Sequence, residues 1–207
     1  MQELLRNAGW VAYPLGFFSI LALAIVLERL ITLSRLWSLE NTAFAQLKQK
    51  FATGELTSLE DPGLASAPVS QVMNTLLALR GASEEAKQTV ADVAVSMQRL
   101  RLRRYLSTLA TIGSVSPFVG LLGTVLGVLH AFNAMNNANA QGSRLANDIG
   151  EALSATAIGL AVAIPSYIAY NYFNGRVQGL VLEIHAHVAN LIPFLDVKKD
   201  TRARQEV

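Results

Sequence analysis

Three stretches of this chain contain no Asp, Glu, Lys or Arg, and each is long enough to cross a lipid bilayer. They cover residues 7–27, 105–143 and 152–175, and each is rich in Leu, Ile, Val, Ala and Gly. A helix needs about 20 apolar residues to cross the hydrocarbon of a bilayer, because each residue adds about 1.5 Å to its length. The sequence therefore predicts an all-α membrane protein with three transmembrane helices.

The composition argues against most other classes of protein. Charged residues make up only 15% of the 207 residues, and the mean hydropathy is +0.35, which is too apolar for most soluble folds. The absence of Cys excludes disulfides and thiolate metal ligands. We find no nucleophile–base pair, metal-ligand cluster or phosphate-binding loop. The prediction is therefore a protein without enzymatic activity, bound metal, cofactor or nucleic-acid partner.

The first apolar stretch differs from a cleaved signal peptide. One basic residue, Arg6, precedes it, its apolar run is longer than that of a signal peptide, and no small-residue cleavage pattern follows it. We expect a membrane helix that is retained.

Basic residues predict the orientation of the spans. Ten of the seventeen Lys and Arg residues lie between the first and second charge-free stretches, and five follow the third. Basic residues near span ends stay in the cytoplasm, so we expect a multi-pass membrane protein with its N-terminus outside and its C-terminus in the cytoplasm. In a bacterial inner membrane, which we expect for this chain, the outside is the periplasm. The expected parts are a periplasmic N-terminus (1–9), a first span (10–33), a cytoplasmic helical region (34–104), a second span (105–135), a periplasmic loop (136–147), a third span (148–174) and a cytoplasmic helix and tail (175–207).

The cytoplasmic region is predicted to contain three helices. Residues 36–51 indicate a short amphipathic helix, residues 53–68 a linker rich in Gly, Ser and Pro, and residues 69–79 a second helix that stops before Gly81. Ser83 and the two acids after it are typical of a helix start. No breaker follows before Gly113, which predicts one long helix that leaves the membrane and extends into the cytoplasm. Its apolar stripe fits either packing within the chain or contact with a neighbouring copy; the stripe comprises Val90, Val93, Met97 and Leu100.

Small residues line one face of each of the last two spans. The face on the second span comprises Gly113, Ser116, Gly120, Gly123, Thr124, Gly127 and Ala131, and the face on the third comprises Ala152, Ala155, Thr156, Gly159, Ala163, Ser166 and Tyr170. Small residues let helix backbones approach closely in lipid, so helix packing is predicted at Gly120, Gly123, Gly127, Gly159 and Ala163. Two such faces favour a homo-oligomer, because three spans supply few partners internally. Pro117 and Pro165 are predicted to kink the two spans.

Polar residues on or near these faces are candidates for an ion path. The hydroxyls of Thr124 and Thr156 either bond a carbonyl of their own helix or line a polar path between the helices. Glu151 stands at the start of the third span, where a carboxylate either serves function or favours the positive helix N-terminus together with Asp148. His185 and His187 are two residues apart on a predicted helix, so they make a poor pair of metal ligands.

At these residues the chain resembles the MotA/TolQ/ExbB family of proton-channel subunits, and it is most similar to ExbB- and TolQ-type members. The resemblance rests on PFVGLLGTVLG at 117–127, and on GEALSATAIGL at 150–160 followed by AIP at 163–165 and Tyr170-Asn171. The Glu28-Arg29-Leu30 ending of the first span is also similar. The two long motifs stand in the right order and in the right spans, and the resemblance covers about half the chain.

The resemblance implies a homopentamer in which the second and third spans surround a pore. A dimer of a single-span ExbD- or TolR-type protein sits in such a pore, and its membrane aspartate carries the proton. Thr124 and Thr156 would be pore hydroxyls facing that aspartate, and Glu151 would lie near the periplasmic entrance. The complex would apply force to envelope partners of the TonB or TolA type. The sequence motifs that carry the resemblance are common to systems for siderophore-type uptake, envelope maintenance, and gliding or secretion, so they do not identify which system this chain serves.

Two other functional classes make different predictions. A self-contained transporter usually has repeated halves, together with a membrane charge or broken helices at the midplane, and three spans offer no such repeat. A non-conducting scaffold subunit of a transport or secretion assembly would use the small-residue faces for packing alone. Proton uptake into vesicles, with and without the single-span partner, separates a channel subunit from a scaffold.

Overall fold

Five α-helices form the part of the chain that the computed structural model describes. That part comprises residues 11–53, 65–79, 81–135 and 142–195, with all side chains except those of 134–135 and 142–148. The helices are α1 (Ala12–Thr53), α2 (Pro68–Leu77), α3 (Glu84–Leu102), α4 (Leu106–Met135) and α5 (Gly142–Leu191), and a 3₁₀ turn follows at Ile192–Leu195. No strand occurs within these ranges, so the predicted all-α class is confirmed. The expected N-terminal segment, most of the expected linker and the expected C-terminal tail lie outside the described residues.

Three of these helices, α1, α4 and α5, are long and apolar enough to cross a membrane, which confirms the three predicted spans. Two predicted boundaries are wrong. α1 continues to Thr53, so residues 36–51 are not a separate helix. α5 begins at Gly142 and continues to Leu191, so residues 142–147, expected in a loop, are helical, and the C-terminal helix expected from 175 continues the helix of the third span. Charged side chains show where a helix leaves hydrocarbon, but the backbone keeps its hydrogen bonds until a breaker intervenes.

The prediction of a single long helix from Ser83 to Gly113 is also wrong, because the helix is interrupted between Leu102 and Leu106. The backbone N–H of Arg103 bonds the carbonyls at the end of α3. Tyr105 then takes a left-handed conformation with φ of 64°, which is unusual for a bulky residue. No Gly or Pro stands at this break, so helical periodicity did not reveal it.

A cation–π contact accompanies the break. The guanidinium of Arg29, near the end of the first predicted span, lies 5.4 Å from the centre of the Tyr105 ring, and Arg29 is buried. Left-handed backbone costs about 1–2 kcal/mol for a residue with a Cβ atom, and a cation–π contact of this kind contributes about 0.5–2 kcal/mol. The ring contact therefore offsets much of the cost of the turn.

The described residues divide into two units. Unit 1 contains those within Met1–Arg29 and Tyr105–Phe173, and unit 2 those within Leu30–Arg104 and Asn174–Val207. One buried apolar cluster of unit 1 comprises Val11, Leu15 and Ala155, with Val119 and Ile158 packed against it. Many other large apolar side chains of unit 1 are exposed, as expected for spans that face lipid or other chains.

Unit 2 buries charged side chains as well as apolar ones. Glu40 and Lys87 are both fully buried, and the ammonium group of Lys87 lies 3.3 Å from a carboxylate oxygen of Glu84. Burying a charge is costly unless other groups solvate it, so these residues sit among specific partners. Ser83 accepts the backbone N–H of Ala86 at 3.2 Å, which confirms the predicted start of α3.

Three of the four residues of the apolar stripe of α3 are exposed, and the fourth, Val90, is half-buried. Val93, Met97 and Leu100 are 56%, 60% and 74% exposed. The buried face of α3 is a different one and comprises Lys87, Ala91, Val95, Gln98 and Leu102. The stripe was expected to pack either within the chain or against a neighbouring copy. For Val93, Met97 and Leu100, packing within the described part of the chain is wrong.

Substitutions of Tyr105 test the break between α3 and α4. In a continuous helix Ala is more stable than Gly by about 1 kcal/mol. In the left-handed conformation the order reverses, because Gly adopts positive φ without strain. We expect Tyr105→Gly to have a higher free energy of unfolding than Tyr105→Ala by about 1 kcal/mol, measured in mild detergent. A Tyr105→Ala variant more stable than Tyr105→Gly would contradict the break.

Candidate functional site

A close crossing of α4 and α5 lies at Gly120 and Gly159. A Cβ atom on Gly120 would lie 2.9 Å from the carbonyl oxygen of Ala155 and 2.9 Å from the Cα atom of Thr156. A Cβ atom on Gly159 would lie 2.7 Å from the carbonyl oxygen of Ser116. Cβ atoms essentially never approach within 3.0 Å of another heavy atom, so no side chain fits at either position unless the backbones separate.

Two more glycines extend this contact along α4. A Cβ atom on Gly123 would lie 2.6 Å from the Cβ atom of Ala155, and one on Gly127 would lie 2.7 Å from the Cβ atom of Ala152. Ala163, also on the small-residue face of α5, is buried. The two small-residue faces therefore pack against each other within one chain.

This packing overturns one argument for a homo-oligomer. The sequence reasoning held that two small-residue faces need partners from other copies, whereas Gly120, Gly123 and Gly127 find theirs on α5 of the same chain. Periodicity identifies a face that allows close approach, but it does not indicate which helix approaches. The expectation of several copies now rests on the family resemblance and on exposed apolar surface such as the α3 stripe.

Some hydroxyl groups of α4 and α5 have a hydrogen-bond partner in their own helix, and others have no partner among the described residues. The Thr124 hydroxyl donates to the carbonyl of Leu121 at 2.7 Å, and the Ser166 hydroxyl donates to the carbonyl of Val162 at 2.7 Å. Such bonds satisfy a hydroxyl within its own helix. The hydroxyl oxygens of Thr156 and Ser116 are buried and have no hydrogen-bond partner among the described residues. A buried polar group without a partner costs about 1–3 kcal/mol, so these two hydroxyls differ from those that are satisfied within their own helix.

Ser116 is the residue that the sequence reasoning missed as a member of this site. It was placed on the small-residue face of the second span but not among the polar candidates. The structure encloses its side chain completely and sets its carbonyl against Gly159. The available signal was a hydroxyl directly before Pro117 on a face otherwise rich in Gly. That signal was weak, because a serine in a helix usually bonds its own backbone.

The remaining predicted residues lie around the crossing. Glu151 is exposed and stands eight residues before Gly159 on α5, about 12 Å along the helix axis. Pro117 and Pro165 both lie inside continuous helices, and the kinks expected at them stay predictions. Asp148 belongs to the segment whose side chains are not described. No three His, Cys, Asp or Glu side chains are placed to hold a metal ion in the described part of the chain.

Comparison with known proteins identifies a matching family. Residues 63–186 match the MotA/TolQ/ExbB proton channel family, and this segment is more than half of the 207 residues. It contains α4, most of α5 and all the glycines of the crossing.

Individual relatives agree with this match. The chain is 31% identical over 171 residues to the biopolymer transport protein ExbB-like 3 of Synechocystis, covering 80% of each chain. It is 48% identical over 92 residues to the Tol-Pal system protein TolQ of Pseudomonas aeruginosa, covering 43% of this chain and 39% of TolQ. It is 39% identical over 116 residues to the biopolymer transport protein ExbB of Neisseria gonorrhoeae, covering 54% of this chain and 52% of that protein. The match thus spans about half or less of the last two relatives.

Replacing the crossing glycines with alanine tests the backbone contact. We expect Gly120→Ala and Gly159→Ala each to lower the free energy of unfolding by about 1–3 kcal/mol, because the new methyl group meets backbone atoms that cannot move aside cheaply. The matched control is Gly175→Ala in α5, where nothing lies within 4 Å of the added atom and helix propensity favours Ala by up to about 1 kcal/mol. Denaturation in mild detergent gives the comparison. Equal stability of the three variants would contradict the crossing.

Proposed function

Since this chain belongs to the MotA/TolQ/ExbB proton channel family, we propose that it is a channel subunit of an inner-membrane motor of the ExbB–ExbD or TolQ–TolR type. Such a motor couples proton motive force to mechanical work on envelope partners. The three apolar helices and the family together indicate a multi-pass protein of the inner membrane.

The unpaired hydroxyl of Thr156 is the observation that carries the proposal. It is buried without a partner among the described residues, whereas the Thr124 hydroxyl already donates to the carbonyl of Leu121. The oxygen of Thr124 can still accept a hydrogen bond, because a hydroxyl has two lone pairs. Both threonines therefore suit a polar path. The partly exposed Thr156 has its full hydrogen-bonding capacity left for a water or a carboxylate that reaches the hydroxyl when the side chain turns outwards.

The group that carries the proton has to come from another chain. The three charge-free stretches at 7–27, 105–143 and 152–175 contain no Asp or Glu. A dimer of a single-span ExbD- or TolR-type protein would supply a carboxylate beside Thr156 and Thr124. A proton that crosses the membrane releases roughly 2.3 kcal/mol per 100 mV of potential, which is enough to bias the position of such a partner.

The proposed assembly is a homopentamer around that dimer, with α4 and α5 of each copy next to the pore. The exposed stripe of Val93, Met97 and Leu100 supports contacts beyond the single chain. The distribution of Lys and Arg supports a periplasmic N-terminus and a cytoplasmic C-terminus. Glu151 would then lie near the periplasmic entrance, and a TonB- or TolA-type protein would receive the force.

A non-conducting scaffold subunit is the second candidate, and two observations favour it. The small-residue faces satisfy each other within the chain at Gly120 and Gly159, and the Thr124 hydroxyl bonds its own helix. Under this alternative, Thr156 has no partner to lose. We propose no catalytic activity under either candidate.

Thr156→Val separates the two candidates. Valine keeps the shape of threonine and removes a hydroxyl that has no partner among the residues described, so the fold should be unaffected. A hydrogen bond to a charged group contributes about 1.5–3 kcal/mol, so we expect proton flux to fall about tenfold or more. The measurement is proton uptake into vesicles that contain this chain and its single-span partner.

Two further variants act as controls for Thr156→Val. Thr156→Ser keeps the hydroxyl and should retain most of the flux. Ser154→Ala removes a hydroxyl that donates to the carbonyl of Gly150 at 2.9 Å and should also leave the flux near normal. Normal flux in Thr156→Val, in complexes of normal composition, would exclude the pore role of Thr156.

The number of copies is measured directly by native mass spectrometry in mild detergent. We expect five copies of this chain, with the single-span dimer bound when both proteins are expressed together. Replacing Met97 with Glu puts a charge on the exposed α3 stripe and should lower the fraction of pentamer if that stripe contacts another copy. A helical chain that stays monomeric at all concentrations would contradict the proposed assembly.

A further inference from the structure

Glu40 is a buried carboxylate that joins three helices of unit 2. Its side chain has 0% exposure, and its Oε2 atom accepts the backbone N–H of Val69 in the first turn of α2 at 3.0 Å. Ala67, the residue before α2, makes no side-chain capping bond. Glu40 of α1 therefore caps α2 from 29 residues away in the sequence, where a negative charge also suits the positive end of the helix.

The second oxygen of Glu40 faces α5. Its Oε1 atom lies 3.3 Å from Nδ1 of His187. The imidazole of His187 is stacked on the ring of Phe44, with centres 3.8 Å apart and planes 7° apart, which holds the imidazole in its orientation. Phe44 follows Glu40 by one helical turn, so α1 presents a carboxylate and an aromatic ring to the same part of α5.

A second carboxylate belongs to this cluster. Glu183 precedes His187 by one turn of α5, and its carboxylate repels that of Glu40. One of its oxygens is buried without a hydrogen-bond partner among the described residues. The cluster therefore brings a fully buried carboxylate together with a second carboxylate and an imidazole that are both half-buried.

These surroundings favour the protonated form of the Glu40 carboxyl group. Burial raises the pKa of Glu40 above its ordinary value, and repulsion by Glu183 raises it further, whereas the N–H of Val69 and the imidazole of His187 act against this rise. A neutral Glu40 can still accept the Val69 N–H through its carbonyl oxygen, and it gains an O–H that can donate. Losing the proton leaves two negative groups beside one imidazole, which is costly in a site of low dielectric.

We propose that Glu40, Glu183 and His187 form a proton-binding site outside the membrane spans, and that its occupancy controls how firmly the start of α2 is held. Glu40 lies about 42 Å along the α1 axis from Ala12, which is farther than the roughly 30 Å of bilayer hydrocarbon. The inference goes beyond the proposed function, because it requires no ion conduction by α4 and α5.

The direction of the pH effect follows from proton linkage. The closed form binds a proton that the opened, solvated form releases at the same pH. Opening at the start of α2 therefore becomes easier as pH rises from the ordinary pKa of glutamate through the raised pKa of Glu40. Above the raised pKa the effect reaches a plateau, because both forms are then ionised.

Hydrogen–deuterium exchange of the full chain in mild detergent tests this site. The readout is the protection of backbone amides in the α2 segment, residues 66–79, between roughly pH 5 and 8, corrected for the chemical exchange rate. In the unmodified chain we expect protection to fall with rising pH, by about tenfold for each unit by which the pKa of Glu40 is raised. In Glu40→Gln, which keeps an acceptor for Val69 but cannot ionise, protection should not vary with pH.

Two more variants complete the experiment. Glu85→Gln changes an exposed carboxylate of α3 and should keep the profile of the unmodified chain. Glu183→Gln removes the repulsion while leaving the Val69 contact in place, so the fall in protection should become smaller. A flat profile in the unmodified chain, or the same slope in Glu40→Gln, would overturn the proposal. If Glu40→Gln does not fold, an unchanged profile in Glu183→Gln would overturn it instead.

Discussion

The approach of two backbones at Gly120 and Gly159 is the contact on which the packing of α4 against α5 depends. In water an apolar face drives helices together, but lipid chains are as apolar as the helices themselves. Dispersion between closely packed atoms must then hold the helices together, and it falls steeply with distance. With no Cβ atom at either glycine, the carbonyl oxygens of Ala155 and Ser116 come close to the opposite helix. Ala152 and Ala155 extend the same close contact to Gly127 and Gly123.

This crossing also determines which polar atoms are left for function. Most hydroxyls in a membrane helix are satisfied by a carbonyl one turn back, as for Thr124. Thr156 and Ser116 stand beside the closest point of the crossing, and the hydroxyls of both are buried without a partner among the described residues. Thr156 lies within one of the two family motifs, whereas Ser116 immediately precedes the other. An unpaired hydroxyl in hydrocarbon is costly, so the close approach of the two backbones is achieved at the expense of these two polar groups.

Different forces hold unit 2 together. Its helices bury the ionisable side chains of Glu40 and Lys87, and each needs specific partners because a buried polar or charged group without partners is costly. Glu40 uses the start of α2 and the imidazole of His187, so one carboxylate links segments that are far apart in the sequence. The same arrangement that stabilises this contact makes it sensitive to protons. The burial of Glu40 beside the second carboxylate of Glu183 gives this part of the chain a way to respond to pH that does not require the spans to conduct protons.

Sequence alone was sufficient for the three spans, the all-α class, the start of α3 at Ser83 and the family. These features depend on solvent and on neighbours within one or two turns, and the residues themselves carry that information. The break at Tyr105, the pairing of the two small-residue faces and the cap that Glu40 provides required the folded structure. In each case the decisive partner is distant in the chain: Arg29 for Tyr105, α5 for the glycines of α4, and Val69 for Glu40. A periodic pattern shows which face of a helix is suited to contact, but the partner is chosen by the three-dimensional arrangement that gives the closest packing and leaves the fewest buried charges unsatisfied.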